Sequence, residues 1–315
     1  MSAPGRSPEV VLEDVGTERI LSVNGRRYRT HYSERLIRLL IARKGLARTP
    51  LYFPYKETRG RFFLEPLFRY LTAKGLADLR VLEVGCSFGH NTEYLNEQTA
   101  VAEIRTFDVD GPFVEITRVK VEELRLTKVR QVLHLTDAET TRLPFADGSF
   151  DLVLAVAVIE HLPSRDRRRF TDEYYRVLAR GGHIAIFDTP NRAFPLETHS
   201  VGLPGIQWLP PRLAYAYARA CRPRRVPARS FAGFAEGAWR NASFRECLPS
   251  AGHAGVIDVT EEAGYGLRFF RATARSRWRR AALPVLGALG AVLAATNRSP
   301  SLVLPYFNLV FRKVD

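Results

Sequence analysis

The stretch RVLEVGCSFGHNTEYL, residues 80–95, decides the fold that this sequence predicts. It begins with apolar residues typical of a buried β-strand and stops abruptly at a glutamate, two glycines and small polar residues. A segment with helical spacing, NTEYLNEQ, overlaps its end and follows it. A strand can end in this way for architectural reasons alone. The same order of strand, glycine loop and helix is also typical of a loop where a ligand approaches bare backbone.

From residue 80 to about residue 190, short apolar runs alternate with helical patterns, which predicts βαβ units in a parallel sheet. Strands are predicted at RVLEV, AEIRTFDVD, QVLHLTDA, FDLVLAVAVIEHL and HIAIF. The helix RDRRRFTDEYYRVLARGG is predicted to end at Gly181. Ligands of such sheets bind beyond the carboxyl ends of the strands. Polar clusters follow all five predicted strands: residues 83–89, Asp108 and Asp110, Asp137, Glu160 and His161, and residues 188–191.

The composition, 46% hydrophobic and 25% charged over 315 residues, is typical of a globular protein. The three cysteines, Cys86, Cys221 and Cys247, are too widely spaced to indicate a disulfide framework or a cysteine zinc site. This spacing, and a first segment without the apolar core of a signal peptide, favour a cytoplasmic location. The net charge of +14 comes mainly from arginine and suits nucleic acid or anionic lipid equally well.

Residues 80–192 resemble the class I methyltransferases that use S-adenosylmethionine, in the branch that contains many small-molecule and glycan methyltransferases. LEVGCSFG is similar to that family's acidic-x-Gly-x-Gly-x-Gly loop, with Ser87 in place of the middle glycine. The block TDAETTRLPFADGSFDLVLAVAVIEHLP is similar to the family's third and fourth strand region. The resemblance implies a Rossmann-like α/β fold, with a seven-stranded, mostly parallel sheet whose last strand is antiparallel, plus a lid insertion. It also implies S-adenosylmethionine as the cofactor.

The resemblance assigns the cofactor-binding residues. Glu83 is expected near the methionine amino group, and Asp108 is expected to accept hydrogen bonds from both ribose hydroxyls, with Asp110 as the alternative. Asp137 and the backbone of Ala138 are expected at the adenine amino group. The glycine loop is expected to bring its backbone close to the cofactor through Gly85, Cys86, Ser87 and Gly89.

Methyl transfer from a sulfonium is an in-line displacement, so the protein must align the reactants and remove a proton where the acceptor is a hydroxyl. No metal is required, and we expect none. His161 and His199 are the candidate catalytic residues, because histidine titrates near neutral pH and both residues follow strands of the predicted sheet. His161 has a structural role as its alternative, and His199 has substrate binding without proton transfer.

The chain is predicted to divide into an N-terminal extension with helices, residues 1–75, and a methyltransferase domain, residues 76–315. The extension is expected to help close the cofactor site. Within the domain, residues from about 191 to about 240 read as a lid insertion, because proline, glycine, aromatic residues and arginine replace the regular alternation. The final PYFNLVFRK is predicted to be the antiparallel seventh strand, which distinguishes this family from dinucleotide-binding dehydrogenases.

An apolar segment, residues 281–295, follows the basic residues Arg277 to Arg280. As a helix it would be about 22 Å long, too short for a hydrocarbon layer of about 30 Å. It is either a packing helix or an interfacial patch with Trp278 and the arginines at head-group level. The second interpretation would bring the protein to an anionic membrane surface, peripherally at the inner face.

The favoured function is O-methylation of a small molecule, a sugar or a lipid-linked glycan. An RNA or protein acceptor is the first alternative, motivated by the positive charge. Nucleic acid is less favoured, because the sequence has no Asn-Pro-Pro-Tyr type motif and no separate RNA-binding module. A cofactor-binding scaffold without catalysis is the second alternative. The sequence leaves open the acceptor, the general base and the oligomeric state.

Overall fold

The structure is a computed structural model, and it describes residues 11–197, 199–226, 230–236, 239–250, 255–296 and 298–314. The side chain of Trp278, which the sequence analysis placed at a lipid head-group level, lies outside the described part.

The described chain begins with a small antiparallel sheet that the sequence analysis did not predict. Its strands are β1 (Val11–Val15), β2 (Glu18–Val23) and β3 (Arg26–Thr30). Asn24 and Gly25 join β2 to β3 with φ angles of 50° and 73°, the positive values that a two-residue hairpin turn requires. The predicted helices then follow as α1 (Glu34–Lys44) and α2 (Arg61–Ala73).

A seven-stranded sheet forms the centre of the molecule. Its strands are β4 (Leu79–Val84), β5 (Val101–Asp108), β6 (Val129–His134), β7 (Phe150–Val156), β8 (Leu178–Pro190), β9 (Val256–Asp258) and β10 (Tyr306–Lys313). They lie in the order β6-β5-β4-β7-β8-β10-β9. The five strands from β4 to β8 are parallel, and β10 is antiparallel to both of its neighbours. The predicted Rossmann-like fold with an antiparallel last strand is therefore confirmed.

Helices cover both faces of this sheet. The helices that follow α2 along the chain are α3 (His90–Glu97), α4 (Gly111–Glu123), α5 (Arg167–Val177), α6 (Pro211–Cys221), α7 (Phe231–Glu236), α8 (Leu267–Thr273) and α9 (Arg277–Ala295), of which α6 and α7 belong to the region predicted as a lid. Successive residues of β7 alternate between two hydrophobic clusters: Val153 packs towards α5, and Leu152 and Leu154 pack towards α2. No described helix is long and apolar enough to cross a membrane.

The prediction that Gly181 closes the helix before the fifth parallel strand was wrong. The helix α5 ends at Val177, and Leu178 already belongs to β8. Gly181 has a φ of 77° within β8, beside an irregular register of the β7–β8 pair. A Cβ atom on the neighbouring Gly182 would lie 2.9 Å from the carbonyl oxygen of Asp151. Gly182 therefore permits a close approach of strands, and Gly181 supplies the positive φ beside it, so neither glycine caps a helix.

The region predicted as a lid, residues 191–240, contains α6, α7 and short 3₁₀ turns where it is described. It has a small hydrophobic cluster of its own, which includes Val201, Ile206, Phe234 and Trp239. The N-terminal extension has another cluster, in which Leu36 and Leu40 of α1 pack with Ile116 and Val119 of α4. Both additions therefore pack as units around the carboxyl edge of the central sheet.

Candidate cofactor and acceptor site

The loop after β4 brings its backbone into close contact with two neighbouring elements. Gly85, Ser87 and Gly89 have φ angles of 76°, 48° and 66°. An added Cβ would lie 3.0 Å from Val158 at Gly85 and 3.1 Å from the hydroxyl of Thr117 at Gly89. Larger side chains would therefore be strained by both backbone angle and space. Ser87 adopts the same left-handed region, which explains why a small residue replaces the middle glycine.

The Glu83 carboxylate, at the end of β4, is buried, and only one of its two oxygens has a hydrogen-bond partner among the described residues. The Thr92 hydroxyl donates a hydrogen bond to Oε2. Oε1 is buried and has no hydrogen-bond partner within the described part of the chain, and burial raises the pKa of Glu83 to about 7. Because buried polar atoms are normally paired, an unpaired carboxylate oxygen fits an N–H donor from a ligand. The methionine amino group expected from the sequence meets that requirement.

The Asp108 carboxylate, at the end of β5, is oriented by the backbone. The N–H of Ser87 donates to Oδ2 at 2.9 Å, and the N–H of Asp110 donates to Oδ1 at 3.0 Å. Burial raises the pKa of Asp108, although these donors oppose the shift. Each oxygen keeps a lone pair, so the carboxylate can accept two hydroxyl hydrogen bonds. The alternative, Asp110, accepts from the N–H of Phe113 at the start of α4 and pairs with Arg43 at 2.5 Å.

Asp137 and Ala138 follow the end of β6 and are exposed. The Asp137 carbonyl oxygen accepts a hydrogen bond from the Thr140 hydroxyl at 2.7 Å, which fixes the turn and leaves the carboxylate at the surface. Because β6, β5 and β4 are adjacent in the sheet, Asp137, Asp108 and Glu83 form a row along one edge. A ligand as long as adenine, ribose and a methionine chain together would lie along such a row.

Cys86, the remaining predicted loop residue, is buried, and its N–H donates to the carbonyl oxygen of Phe107 at 3.0 Å. Burial raises the pKa of its thiol well above the usual range. Its side chain therefore packs in the loop as a neutral group.

The two predicted catalytic residues lie together at the end of β7. The rings of His161 and His199 are 5.0 Å apart between centroids and meet edge to face. His161 lies in the 3₁₀ turn Ile159–His161, and His199 comes from the lid region. The His161 ring keeps an open face to solvent, but surrounding protein atoms and the nearby His199 lower its pKa to about 4. Burial also lowers the pKa of His199. Both imidazoles are therefore neutral at neutral pH.

Glu197 holds the turn that carries His199. Its buried carboxylate accepts four backbone hydrogen bonds of 2.6 to 2.8 Å, from residues 199–202. This local arrangement gives His199 a fixed position although its own side chain is exposed.

Glu160 is one of the polar residues that follow the fourth predicted strand, but it was not predicted as a site residue. Its side chain is completely buried beside His161, with Oε1 4.0 Å from the His161 Nε2 atom. Neither carboxylate oxygen has a hydrogen-bond partner among the described residues, and burial raises the pKa of Glu160 to about 8. The signal in the sequence was the glutamate inside the apolar run VAVIEHL, because a buried segment with only a structural role rarely contains a carboxylate.

Asp188 and Arg59 complete the acceptor side. They form an ion pair between β8 and the turn Lys56–Gly60 that leads into α2. Burial raises the pKa of Asp188, although Arg59 opposes this shift. A cavity of about 220 Å³ lies beside Asp188, between α2, α8 and β10. Most of its large lining side chains are aromatic or cationic: Phe62, Phe63, Phe269, Phe270, Tyr306 and Arg279.

The N-terminal extension is attached to the helices that follow the two cofactor loops. Tyr32 lies beside Glu93 of α3 and Lys120 of α4, and all three side chains are buried. The Lys120 Nζ atom donates to the Tyr32 hydroxyl at 2.7 Å and lies 3.1 Å from Glu93. Burial favours the neutral form of Glu93, but His31, Lys120 and Lys56 lower its pKa to about 2. The extension thus supports the cofactor side through a buried charged pair.

Two acidic residues near the start of β7 have structural roles. Asp151 accepts hydrogen bonds from the backbone N–H and guanidinium of Arg80, and Asp147 pairs with Arg176. Both lie before or at the start of β7, at the opposite edge from the site.

Comparison with known proteins gives matches to the central part of the chain. The model of the family described as "Methyltransferase domain" matches residues 82–186. The methyltransferase GfsG of Streptomyces halstedii is 34% identical over 41% of this chain and 44% of its own length. Demethylmenaquinone methyltransferase of Thermus thermophilus is 30% identical over 36% of this chain and 49% of its own length. Probable tRNA methyltransferase 9B of Mus musculus is 32% identical over 36% of this chain and 23% of its own length.

These matches span less than half the length of the relatives named. The matched segment contains Glu83, the glycine loop, Asp108 and Asp137, and it ends within β8. The match over residues 82–186 and the fold of the central sheet together support a class I methyltransferase domain that uses S-adenosylmethionine as its cofactor.

Proposed function

We propose that this protein methylates an oxygen atom of a small molecule, a sugar or a lipid-linked glycan. The observation that carries the proposal is the position of two neutral histidines at the end of β7, the strand next to β4 and its glycine loop. That position is where the predicted row of cofactor-binding residues ends. A nucleophile held there would face the methyl end of the cofactor.

The residues on the cofactor side fit S-adenosylmethionine. When bound, this cofactor supplies a methyl group activated by a sulfonium centre. The unpaired Oε1 of Glu83 accepts a hydrogen bond from the methionine amino group, and Asp108 accepts hydrogen bonds from the ribose. Asp137 and the backbone of Ala138 bind the adenine edge. Gly85 and Gly89 let the loop backbone approach the ligand.

On the acceptor side, His161 is the proposed general base. Its pKa of about 4 keeps it neutral, so a ring nitrogen can accept the proton of an acceptor hydroxyl as the oxygen attacks. His199 contacts the same ring from the lid and is the proposed positioning residue. The ion pair of Arg59 and Asp188 lies beside the cavity, where it would orient the polar end of the acceptor.

A lipid-linked acceptor is favoured by the surface of α9. Val285, Leu289 and Val292, spaced as one helical face, have exposed fractions of 62%, 48% and 62%. The opposite face packs, because Leu286 is buried and a Cβ on Gly290 would meet Leu267 at 2.4 Å. One face of α9 therefore packs against the protein, as a packing helix would, and the other face is exposed and apolar, as an interfacial helix requires.

The helix α9 also connects this exposed face to the cavity. Its first turns carry Arg277, Arg279 and Arg280, and Arg279 lines the cavity and lies 5.8 Å from the ring centre of Phe270. We infer that α9 rests on an anionic membrane surface with the arginines at head-group level. A lipid-linked acceptor held at that surface would have a short path to the cavity.

Transfer of label tests the proposed function. The protein and S-adenosylmethionine with a labelled methyl group are incubated with a lysate separated into lipid, polysaccharide, small-molecule and RNA pools. We expect label in one of the first three pools, and no label with the Gly85→Val variant, whose cofactor loop is blocked. Label in RNA would support the alternative acceptor that the net charge of +14 suggests. No label in any pool would favour a scaffold without catalysis.

Sedimentation with liposomes tests the membrane surface separately. We expect binding to anionic liposomes at low salt and weaker binding of a variant with Val285, Leu289 and Val292 replaced by serine. A matched control replaces Leu213, an exposed residue of α6 that lies away from α9 in the sequence. Equal binding of all three proteins would contradict the assignment to α9.

A further inference from the structure

The cluster of Glu160, His161 and His199 offers three possible metal-ligand atoms, whereas proton transfer needs one base. One nitrogen from each histidine and one oxygen of Glu160 all lie within 4.8 Å of one another. The Glu160 side chain is completely buried, and both of its oxygens have no hydrogen-bond partner in the part of the chain that the structure describes. Buried polar oxygens are normally paired, so a cation or a hydrogen-bond donor in the neighbouring space would stabilise this side chain.

Neighbouring cations are committed elsewhere. The guanidinium of Arg167 donates to the carbonyl oxygens of Glu160, Arg240 and Asn241 rather than to the Glu160 carboxylate. Arg59 is paired with Asp188. The ligand atoms nearest to the buried carboxylate are therefore those of the two imidazoles, which belong to the same cluster.

We propose that Glu160, His161 and His199 bind one divalent transition-metal ion of the Zn²⁺ or Co²⁺ type. Two imidazoles and one carboxylate form a ligand set that such ions prefer, and Mg²⁺ prefers oxygen ligands. Ligand atoms around one tetrahedral ion with bonds of about 2.1 Å lie about 3.4 Å apart. The distance of 4.0 Å between Glu160 Oε1 and His161 Nε2 thus requires a small rotation of side chains. The His161 side chain is 58% exposed and can make that adjustment.

Three protein ligands leave a coordination position open. Methyl transfer needs no metal, so the ion adds two things to the site. It ties the lid residue His199 to the end of β7, and it gives an acceptor hydroxyl a Lewis acid that lowers the hydroxyl pKa. A metal-bound His161 cannot also accept the hydroxyl proton, so this proton leaves to solvent in the metal-bound protein, and the general-base role of His161 belongs to the metal-free protein. This role in acceptor binding rests on the proposed function, but metal binding itself does not.

Titration of the full-length, chelator-treated protein with Co²⁺ tests the site. We expect one equivalent to bind with the visible absorption of a low-coordinate cobalt ion, and Zn²⁺ to displace it. Glu160→Gln keeps the size of the side chain and removes the charge, and we expect it to weaken binding at least about 100-fold, as His199→Ala should. His134→Ala is the matched control, because His134 contacts Val109 near β6 and lies outside the cluster.

Calorimetry in two buffers gives a second measurement. Because ligand groups must lose their protons to bind a metal ion, the heat of Co²⁺ binding should depend on the ionisation heat of the buffer, and Glu160→Gln should reduce this dependence. Absence of a one-equivalent Co²⁺ site, or equal binding by wild type, Glu160→Gln and His199→Ala, would overturn the proposal. Circular dichroism checks that the variants fold. Binding of S-adenosylmethionine without metal, measured in parallel, separates this result from the proposed methyl transfer.

Discussion

Replacing Glu83 by glutamine should make the protein without ligand more stable and its cofactor binding weaker. The unfolded chain loses the Glu83 proton near pH 4.5, but the folded protein keeps it until about pH 7. Between these values the folded state binds more protons, so the free energy of unfolding falls as the pH rises. A difference of this size corresponds to about 3 kcal/mol of stability lost across that range.

Glutamine has the size of glutamate and carries no charge, so the variant should lack this part of the pH dependence. At pH 8 we expect Glu83→Gln to unfold at a higher denaturant concentration than the wild type. The hydrogen bond from Thr92 can be kept, since the amide oxygen accepts it. Cofactor binding should respond in the opposite direction, because the amino group of S-adenosylmethionine loses an ionised partner. The loss of a hydrogen bond to a charged group corresponds to about 1.5–3 kcal/mol, or roughly 10- to 150-fold in affinity.

The assay combines denaturant unfolding with calorimetric titration at pH 5, 6, 7 and 8. In the wild type, affinity for S-adenosylmethionine should rise as the pH passes about 7, because Glu83 ionises. The variant should show a flat profile over this step. Glu103→Gln is the matched control, because Glu103 lies on β5, pairs with Arg105 and is not in the site. A variant that is less stable at pH 8 and binds the cofactor with unchanged affinity would refute the reasoning.

Three further results are expected. Gly85→Val should abolish cofactor binding while the chain stays folded, because a Cβ there lies 3.0 Å from Val158 and the φ of 76° is strained for valine; retained calorimetric binding would remove the loop from the site. Lys120→Met should destabilise the protein by about 1.5–3 kcal/mol in denaturant unfolding, because it removes a buried charged partner of Tyr32 and Glu93 while Lys56 and His31 remain beside Glu93; a loss below about 0.5 kcal/mol would contradict a buried pair. His161→Ala should lower kcat about 100-fold or more with KM for S-adenosylmethionine unchanged, whereas unchanged turnover would assign His161 a structural role.

The cofactor side could be predicted from sequence because its signals are local. Glu83, Asp108 and Asp137 each follow a short apolar run, and the parallel arrangement brings the ends of such runs to one edge. The choice between Asp108 and Asp110 could not be made from spacing alone. It depends on Arg43, a residue of α1 that lies far away in the sequence and pairs with Asp110.

The N-terminal sheet was missed although its turns were visible. Gly16 and the pair Asn24-Gly25 are strong hairpin signals, but the strands between them are short and carry many charges. The incorrect end of α5 has a different origin. Gly181 follows a helical pattern at the usual distance for a helix end. The chain enters β8 before that point, because Leu178 pairs with Phe150 in the sheet and both side chains are buried in the core.

The acceptor side depends on contacts that no local pattern contains. Glu160 and His161 are set by β7, whereas His199 is set by the carboxylate of Glu197, which binds four consecutive N–H groups of its own turn. The lid has a separate hydrophobic cluster, so the position of His199 depends on packing within residues 191–240 and not on the pattern of the sheet. The pairing of His161 with His199 therefore arises from two independently built parts of the chain, which is why strand patterns alone locate the cofactor side but not the acceptor side.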